Sequence, residues 1–287
     1  MTARPPHPDP LASGLRDRML AAARSQRPVG SSLPEVEPIT TVEAMARTAE
    51  SLRSTLAGLD EADWARVVLR GLSVQRLIGH LIGVERHVAA ALAGGSEVHG
   101  LDHVEATQPV ALAQDGRTPA DTLAEWHALV EQTVRLAASA PRDRGYGIHG
   151  LRLPLDALMI TRAFEFWTHE NDIRAELGLP ASVPDHPTLA RMTALAVRSV
   201  PYAAALDGLA EEVDLRVVLT GPGGGTWDVP LNHGAGSPVV VRIVADAVAF
   251  CRLAANRLRP SQVHPQLRGD IPTARRVLAA VPALALD

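Results

Sequence analysis

The sequence predicts an α+β protein in which a four-helix bundle precedes a small domain of mixed helices and strands. Between residues 40 and 177, four long segments carry apolar residues at helical spacing. After Pro187, β-branched runs stand beside glycine-rich turns, a pattern typical of strands. We expect the bundle over residues 39–184 and the smaller α+β domain over residues 185–287. Residues 1–38 are rich in Pro, Ser and Arg and predict an N-terminal arm, because they cannot bury much apolar surface.

Capping and termination signals place the four bundle helices. The first begins near Thr41, the expected N-cap, with Glu43 in its first turn. The others are expected over about residues 73–93, ending at two glycines, 119–140, beginning with a proline, and 153–177. A four-helix bundle is the economical way to bury their apolar faces. The long connection over residues 94–118 either crosses the bundle or covers a site.

The C-terminal part is expected to combine helices with a β-hairpin. Strands are predicted at LRVVLTG (215–221), TWDVPL (226–231) and SPVVVRIVAD (237–246). Helices are predicted over residues 188–206, 246–258 and 272–285. The glycines of GPGGGTW form the hairpin turn in this interpretation. A phosphate-binding loop is disfavoured, because neither a Lys-Ser/Thr pair nor a helix follows them.

Composition argues against several classes of function. The formal net charge is -4 and the basic residues are scattered, so nothing favours a nucleic-acid partner. No apolar run approaches the roughly 18 residues of a transmembrane helix, and the N-terminus has no signal-peptide pattern. We therefore expect no membrane partner and a cytoplasmic location. The single cysteine, Cys251, has no partner for an internal disulfide and is interpreted as a core thiol.

The stretch FEFWTHENDIR, residues 164–174, carries the most informative polar residues. Glu165 and His169 are four apart, so on a helix they lie on one face, with their Cβ atoms about 5–6 Å apart. Burying either group alone is costly, whereas a divalent metal would accept a lone pair from both. Phe164 and Trp167 would then wall the site, and Glu170 with its neighbour Asn171 would face water.

A third ligand must come from another helix, and GHLIGVERH in the second helix offers His80. That residue lies among apolar neighbours, and the small residues Gly79 and Gly83 beside it let another helix or a ligand come near. We prefer it to His87, which is closer to the helix end. From these residues alone, a hydrogen-bonded core histidine and a solvated Glu/His pair remain the commoner explanations. Other catalytic patterns are missing: residue 173 is Ile, so no HExxH is present, and no GxSxG occurs.

The pairing of GHLIGVE with ExxxHxxDxR resembles the mycothiol-dependent maleylpyruvate isomerase family, within the DinB-like metal-binding bundles. The resemblance extends over residues 40–287, through DGLAEEVDLRVVLTGPGGGTWDVPL, VADAVAFCRLAANRL and LRGDIPTARRVLAAVPALA. It implies that His80, Glu165 and His169 hold a divalent metal, expected to be Zn²⁺, and that mycothiol is the thiol cosubstrate. Mycothiol is an actinobacterial thiol, and the bias towards Ala, Leu, Val, Arg and Pro is typical of GC-rich genomes.

The resemblance also implies an arginine that binds the substrate carboxylates, and Arg252 and Arg257 are equal candidates. Asp172 can orient a ligand or an arginine near the site, or can form a surface salt bridge with Arg162 or Arg174. A thiolate made by the metal would add to an electrophilic substrate, giving cis–trans isomerisation of a maleylpyruvate-type acid or thiol S-transfer. Two other hypotheses stay open: a metal-dependent hydrolase or amidase, and a non-catalytic regulator that binds metal or thiol.

Overall fold

The computed structural model describes residues 37–95, 103–231 and 240–285, and residues 38–287 belong to one compact unit. The predicted arm, residues 1–38, lies outside the described residues except for its last two. The fold is α+β, as predicted. The division of the compact unit after residue 184 stays a prediction. Among the described helices, none is both long enough and apolar enough to cross a membrane.

The described residues of the N-terminal half form six helices, with four short strands between them. The helices are α1 (Thr41–Ala57), α2 (Glu61–Ala65), α3 (Val74–Leu92), α4 (His103–Leu112), α5 (Pro119–Ser139) and α6 (Leu155–Glu176). The strands form two antiparallel hairpins, β1 (Val67–Leu69) with β2 (Leu72–Ser73), and β3 (Gly145–Ile148) with β4 (Leu151–Pro154). The four predicted helices correspond to α1, α3, α5 and α6, within a few residues at each end.

The N-cap of α1 is Thr40 and not the predicted Thr41. The Thr40 hydroxyl accepts from the backbone N–H of Glu43, and the Glu43 carboxylate accepts from the Thr40 backbone N–H at 2.8 Å. This reciprocal pair is a capping box, in which two otherwise unsatisfied donors at the helix start find acceptors. Thr41 instead donates its hydroxyl to Asp156 on α6 at 2.6 Å, and so ties the two helices together.

The C-terminal half contains a four-stranded sheet with helices. Its elements are α7 (His186–Arg198), α8 (Val200–Leu206), β5 (Val213–Thr220), β6 (Gly225–Leu231), β7 (Val240–Asp246), α9 (Ala247–Ala254), β8 (Gln266–Arg268) and α10 (Ile271–Ala280). The sheet order is β6-β5-β7-β8, and β5 pairs antiparallel with β6 and parallel with β7. The hairpin predicted around the glycine-rich turn is therefore confirmed.

The helix predicted over residues 188–206 is wrong in one respect, since it is divided into α7 and α8 at Ser199. Pro201 lies just after the break. A proline has no N–H and cannot donate to the carbonyl four residues before it, so it ends one helix and is tolerated in the first turn of the next. The short strand β8 was not predicted, because three residues carry little periodicity.

Helix α6 lies between two hydrophobic clusters and contributes to both. Ile160 and Trp167 belong to a cluster formed largely by the C-terminal helices and sheet. Met159, Ala163 and Phe166 belong to the cluster between the N-terminal helices. Apolar residues on two sides of α6 thus face two different clusters. The polar residues of FEFWTHENDIR lie between these two sides, where the clusters meet. This position brings residues from both halves of the chain to one site.

Helix α4 lies inside the connection 94–118 and packs against the glycine face of α3. A Cβ atom at Gly79 would come within 2.8 Å of the Ala111 backbone, and one at Gly83 within 2.8 Å of Thr107. The two glycines therefore admit a neighbouring helix, one of the alternatives that the sequence left open. Sequence patterns missed this helix because its buried positions, His103, Thr107 and Ala111, lie on one face but are not strongly apolar.

We expect Gly79→Ala to destabilise the protein. The overlap with the Ala111 backbone should cost about 1–3 kcal/mol, which outweighs the roughly 1 kcal/mol by which alanine favours a helix over glycine. Gly116→Ala is the matched control, because a Cβ there meets nothing within 4 Å, and it should be neutral or stabilise by about 0.4–1 kcal/mol. Urea unfolding measures both. Equal stability of the Gly79 variant and wild type would contradict the close approach of α4 to α3.

Candidate metal and thiol site

The side chains of His80, Glu165 and His169 converge on one point between α3 and α6. One ligand atom from each residue can be chosen such that all three lie within 4.8 Å of one another. His80 Nε2 and Glu165 Oε1 are 3.3 Å apart. His80 and His169 are buried and Glu165 is largely so. The helical spacing of Glu165 and His169 places both on the same side of α6, as the sequence predicted.

The tautomer of His80 follows from its hydrogen bond with Thr107 on α4. The Thr107 hydroxyl donates its one proton to the His103 carbonyl at 2.9 Å. With that donation made, its oxygen is free to accept from His80 Nδ1, which lies 2.6 Å away. When Nδ1 makes that donation, Nε2 presents a lone pair towards Glu165. Burial lowers the pKa of His80 despite the opposing effect of the Glu165 carboxylate, so the neutral ring that a metal requires is favoured.

Asp172 orients the second imidazole in the same way. His169 Nδ1 lies 3.1 Å from Asp172 Oδ2. Because an ionised carboxylate only accepts, Nδ1 carries a proton, and in the neutral ring it is Nε2 that has the lone pair. Burial tends to raise the pKa of Asp172, but hydrogen bonds from His169 and Arg257 outweigh burial and lower it. Asp172 therefore contacts both partners as an anion. These contacts agree with the first alternative from the sequence, a residue that orients a ligand or an arginine, and not with a salt bridge to Arg162 or Arg174.

Glu165 is held as a carboxylate with one oxygen directed at the two histidines. Its Oε2 accepts from the Arg162 guanidinium, whereas Oε1 lies 3.3 Å from His80 Nε2 and 3.7 Å from His103 Nε2. Burial tends to raise the pKa of Glu165, yet Arg162 above all, and then the nearby imidazoles, hold it well below its usual value. With His80 Nε2 as an acceptor, two lone-pair atoms face each other at 3.3 Å. A cation between them would relieve that repulsion.

Arg162 lies behind Glu165 in a network that is closed to solvent. Its side chain is 1% exposed and bridges Glu165 to Glu85, which is fully buried. Arg162 Nε donates to Glu85 Oε1 at 2.8 Å, and the Thr133 hydroxyl donates to Glu85 Oε2 at 2.6 Å. Burial raises the pKa of Glu85, although Arg162 and Thr133 act in the opposite direction. The network fixes the carboxylate plane of Glu165 and supplies a positive charge that balances it.

These residues fit a divalent metal such as Zn²⁺. Two imidazole nitrogens and a carboxylate oxygen form a common zinc donor set, and three protein ligands leave one position open. Donors bound to a tetrahedral zinc lie about 3.3–3.6 Å from one another. The 3.3 Å between His80 Nε2 and Glu165 Oε1 already has that value. The convergence of the three side chains and the burial of the Glu165 carboxylate point to the same site.

A pocket opens beside the cluster, between α6 and the C-terminal elements, with about 720 Å³ of empty space that includes solvent at its mouth. Glu165 and His169 line it on one side and Arg257, just beyond α9, on the other. Arg257 Nε and Nη2 donate to the two oxygens of Asp172, both at 2.9 Å. Of the two predicted arginines, Arg257 is thus brought to the site, whereas Arg252 is not among the described residues that line this cavity.

Other expectations for FEFWTHENDIR are partly wrong. Glu170 does not face water: it is 1% exposed, and Thr55 and Arg174 both donate to its Oε1. Phe164 lines the cavity as expected, but Trp167 packs away from it and donates its indole N–H to the Ser182 carbonyl. Glu170 faces α1 and not solvent, because α1 covers that side of α6.

His103 borders the cluster and was missed by the sequence analysis. Its Nε2 lies 3.7 Å from Glu165 Oε1, and its ring packs edge-on to His80 with centroids 4.8 Å apart. The available signal in the sequence was the pair of small residues in α3, Gly79 and Gly83, which indicates that another element covers the His80 side of this helix.

His87, the rejected alternative to His80, lies against His149 instead, with ring centroids 5.3 Å apart. Cys251 is buried, which raises its pKa, as expected of a core thiol.

Comparison with known proteins agrees with this architecture. Residues 45–174 match the family described as mycothiol maleylpyruvate isomerase N-terminal domain. Two crystal structures of the mycothiol-dependent maleylpyruvate isomerase, one of a histidine-to-alanine mutant, share the fold with a TM-score of 0.54. Their sequences are 14% and 15% identical to this chain, and each match covers 80% of this chain and 91% of the solved one. No curated protein matches the sequence significantly.

The matched segment contains His80, Glu165, His169 and Asp172, and it ends at Arg174. The family resemblance seen in the sequence is thereby confirmed over residues 45–174. The C-terminal elements, with Arg257, lie beyond the matched segment. Over slightly less than half of its length, the chain is therefore similar to the mycothiol maleylpyruvate isomerase N-terminal domain.

Proposed function

We propose that the protein is a mycothiol-dependent metalloenzyme that adds a thiol to an electrophilic, carboxylate-bearing substrate. The observation that carries the proposal is the convergence of three lone pairs, from His80, Glu165 and His169, on one buried point. The match of residues 45–174 to the N-terminal domain family supports mycothiol as the thiol. The shared fold with mycothiol-dependent maleylpyruvate isomerase supports isomerisation of a maleylpyruvate-type acid as the reaction. Thiol S-transfer is the related reaction that the same groups can perform.

A metal bound by these three residues, which we propose to be Zn²⁺, supplies a Lewis acid that keeps a thiol deprotonated at neutral pH. A free thiol, with a pKa of about 8.5, is otherwise mostly protonated there. The chain's own residues prepare the site. Arg162 fixes the Glu165 carboxylate, while Thr107 and Asp172 hold the two imidazoles with Nε2 unprotonated.

Arg257 is the proposed anchor for a substrate carboxylate. Its guanidinium lines the cavity and is oriented by two hydrogen bonds to Asp172, so little rotamer freedom is left to lose on binding. Phe164, Leu195 and Leu284 supply apolar walls to the same cavity. Exclusion of water by these walls strengthens the attraction between guanidinium and carboxylate.

The isomerisation balances without consuming the thiol. A thiolate forms a C–S bond with one carbon of the cis double bond, and the π electrons move onto the conjugated carbonyl oxygen. The former double bond is now single and rotates. Return of the electrons expels the thiolate and restores the double bond as trans. In S-transfer the C–S bond persists, and the thiol leaves as part of the product.

Broader features of the sequence prediction remain part of the proposal. The four long helices α1, α3, α5 and α6 form a DinB-like four-helix bundle over residues 39–184, followed by a small α+β domain over residues 185–287. The N-terminal arm covers residues 1–38. The partners are a small thiol and an electrophile, with no role for nucleic acids or membranes, and the protein acts in the cytoplasm of an actinobacterium.

We expect His80→Ala and Glu165→Gln to lose bound metal. Each removes one of three donors, whereas the matched control His87→Ala removes a histidine of the same helix outside the cluster. Elemental analysis of purified protein should show about one metal per chain in wild type and control and little in the two variants. Added Zn²⁺ should raise the melting temperature of stripped wild type but not of the variants. Equal metal content in all four proteins would contradict the metal site.

The reaction is tested with the metal-loaded protein, mycothiol and maleylpyruvate. Conversion to the trans isomer that requires mycothiol, without loss of free thiol, supports isomerisation. Loss of free thiol with formation of a thioether, detected by mass spectrometry, supports S-transfer. Thiol-independent addition of water would replace the proposal with a hydrolase, and metal binding without any turnover would replace it with a regulator.

We expect Asp172→Asn to weaken metal binding by about 10- to 100-fold, because an amide cannot fix His169 with its proton on Nδ1 as a carboxylate does. It should also raise KM for the carboxylate substrate, since Arg257 loses its orienting partner. Asp156→Asn, at an exposed carboxylate on the same helix, is the control and should leave both values unchanged. Competition with a zinc chelator and steady-state kinetics provide the measurements. Unchanged metal affinity would show that Asp172 does not support His169.

A further inference from the structure

Two separate cavities reach the metal-binding cluster. The first, here the C-terminal chamber, is the pocket between α6 and the C-terminal elements, lined by Arg257 and Leu195 among others. The second, here the hairpin chamber, lies between the β1–β2 hairpin, α3 and α4. Arg70 and Gln108 line this second cavity from the hairpin and from α4.

The cluster itself forms the partition between the chambers. Among the described residues, Glu165 lines the C-terminal chamber, and His80 lines the hairpin chamber. His103 and His169 line both. A metal held by His80, Glu165 and His169 would therefore be approachable from two sides, so two reactants could meet there without sharing one entrance.

The two chambers differ in chemistry. The C-terminal chamber combines one oriented guanidinium, Arg257, with apolar side chains such as Phe164 and Leu284, which suits a compact acid. The hairpin chamber has an exposed rim that includes Arg70, Gly71 and Gln108. A thiol cosubstrate needs to bring one sulfur to the metal, while the rest of the molecule takes no part in bond making. An exposed rim allows that remaining polar portion to stay hydrated.

We propose that the hairpin chamber binds the thiol cosubstrate and that the C-terminal chamber binds the carboxylate-bearing electrophile, so that sulfur and carbon meet at the cluster from opposite sides. This assignment rests on the proposed function. It accounts for α4, whose residues Thr107 and Gln108 line the thiol side while His103 stands between the two reactants. It also separates the roles of the two halves of the chain, because the electrophile is held by an arginine from beyond the family-matched segment.

Two bulky substitutions test the assignment by filling one chamber each. Gln108→Trp, at an exposed residue of α4, should narrow the hairpin chamber, and Ala255→Phe should narrow the C-terminal chamber. The matched control is Ala113→Trp, at an exposed position that lines neither cavity. Leu195→Phe replaces Ala255→Phe if the latter fails to fold. None of the four substituted residues is a proposed metal ligand. In the described structure, none of them forms a side-chain hydrogen bond with His80 or His169.

Isothermal titration calorimetry of the zinc-loaded proteins, with mycothiol and separately with maleate, provides a readout that needs no turnover. Gln108→Trp should weaken mycothiol binding by about tenfold or more and change maleate binding by less than about twofold. Ala255→Phe should show the reverse, and the control should resemble wild type. The proposal is overturned if the pattern is exchanged between the variants, if either variant weakens both ligands equally, or if neither has an effect.

The outcomes also separate this inference from the proposed function. Thiol-dependent turnover without the crossed pattern of binding would remove the two-chamber assignment and leave the function standing. The crossed pattern without turnover of any electrophile would remove the proposed reaction and leave the two binding sites. Failure of wild type to bind mycothiol at all would remove both.

Discussion

The buried ion pair network of Arg162 is the interaction on which the site depends. A guanidinium that is 1% exposed requires compensation, and here two carboxylates, Glu85 and Glu165, provide it. Removing one partner of such a buried pair typically costs about 3–5 kcal/mol, because the other charge is left unpaired. The network is therefore a fixed frame. Glu165 cannot rotate towards solvent without leaving Arg162 short of an acceptor.

The same network sets the charge of the cluster. The two carboxylates, Glu85 and Glu165, face one guanidinium, so the ionised network carries one negative charge. In the proposed function, a dication held between neutral imidazoles would leave a single excess positive charge, which a thiolate would neutralise. On that proposal, the charge balance would favour an anionic fourth ligand over a neutral one. A low-dielectric setting makes that difference large.

Sequence reasoning predicted which side chains converge between α3 and α6 better than it predicted the helices around them. Two local patterns were sufficient: the i,i+4 spacing of Glu165 and His169, and the apolar neighbours of His80. Such patterns can be interpreted without knowledge of tertiary contacts. Helix α4 could not be predicted in the same way. Its buried face consists of His103, Thr107 and Ala111, so no apolar periodicity marks it, and Pro109 argues against a helix. The burial of Glu170 likewise depends on α1 covering that side of α6, which is a property of packing. The choice between Arg252 and Arg257 required knowing where α9 ends.

Asp172 couples the two functional parts of the site more tightly than separate supports would. Its Oδ2 accepts from both His169 Nδ1 and Arg257 Nη2, while Oδ1 accepts from Arg257 Nε. One side chain therefore fixes both His169, the proposed ligand, and Arg257, the proposed carboxylate anchor, and the distance between them cannot vary independently. In the proposed function, a substrate would have to span that distance, with a carboxylate on Arg257 and its electrophilic carbon beside the cluster. Selection among small acids then follows from the separation of carboxylate and reacting carbon, because misplacement by about 1 Å in a preorganised site can cost about 100-fold in rate.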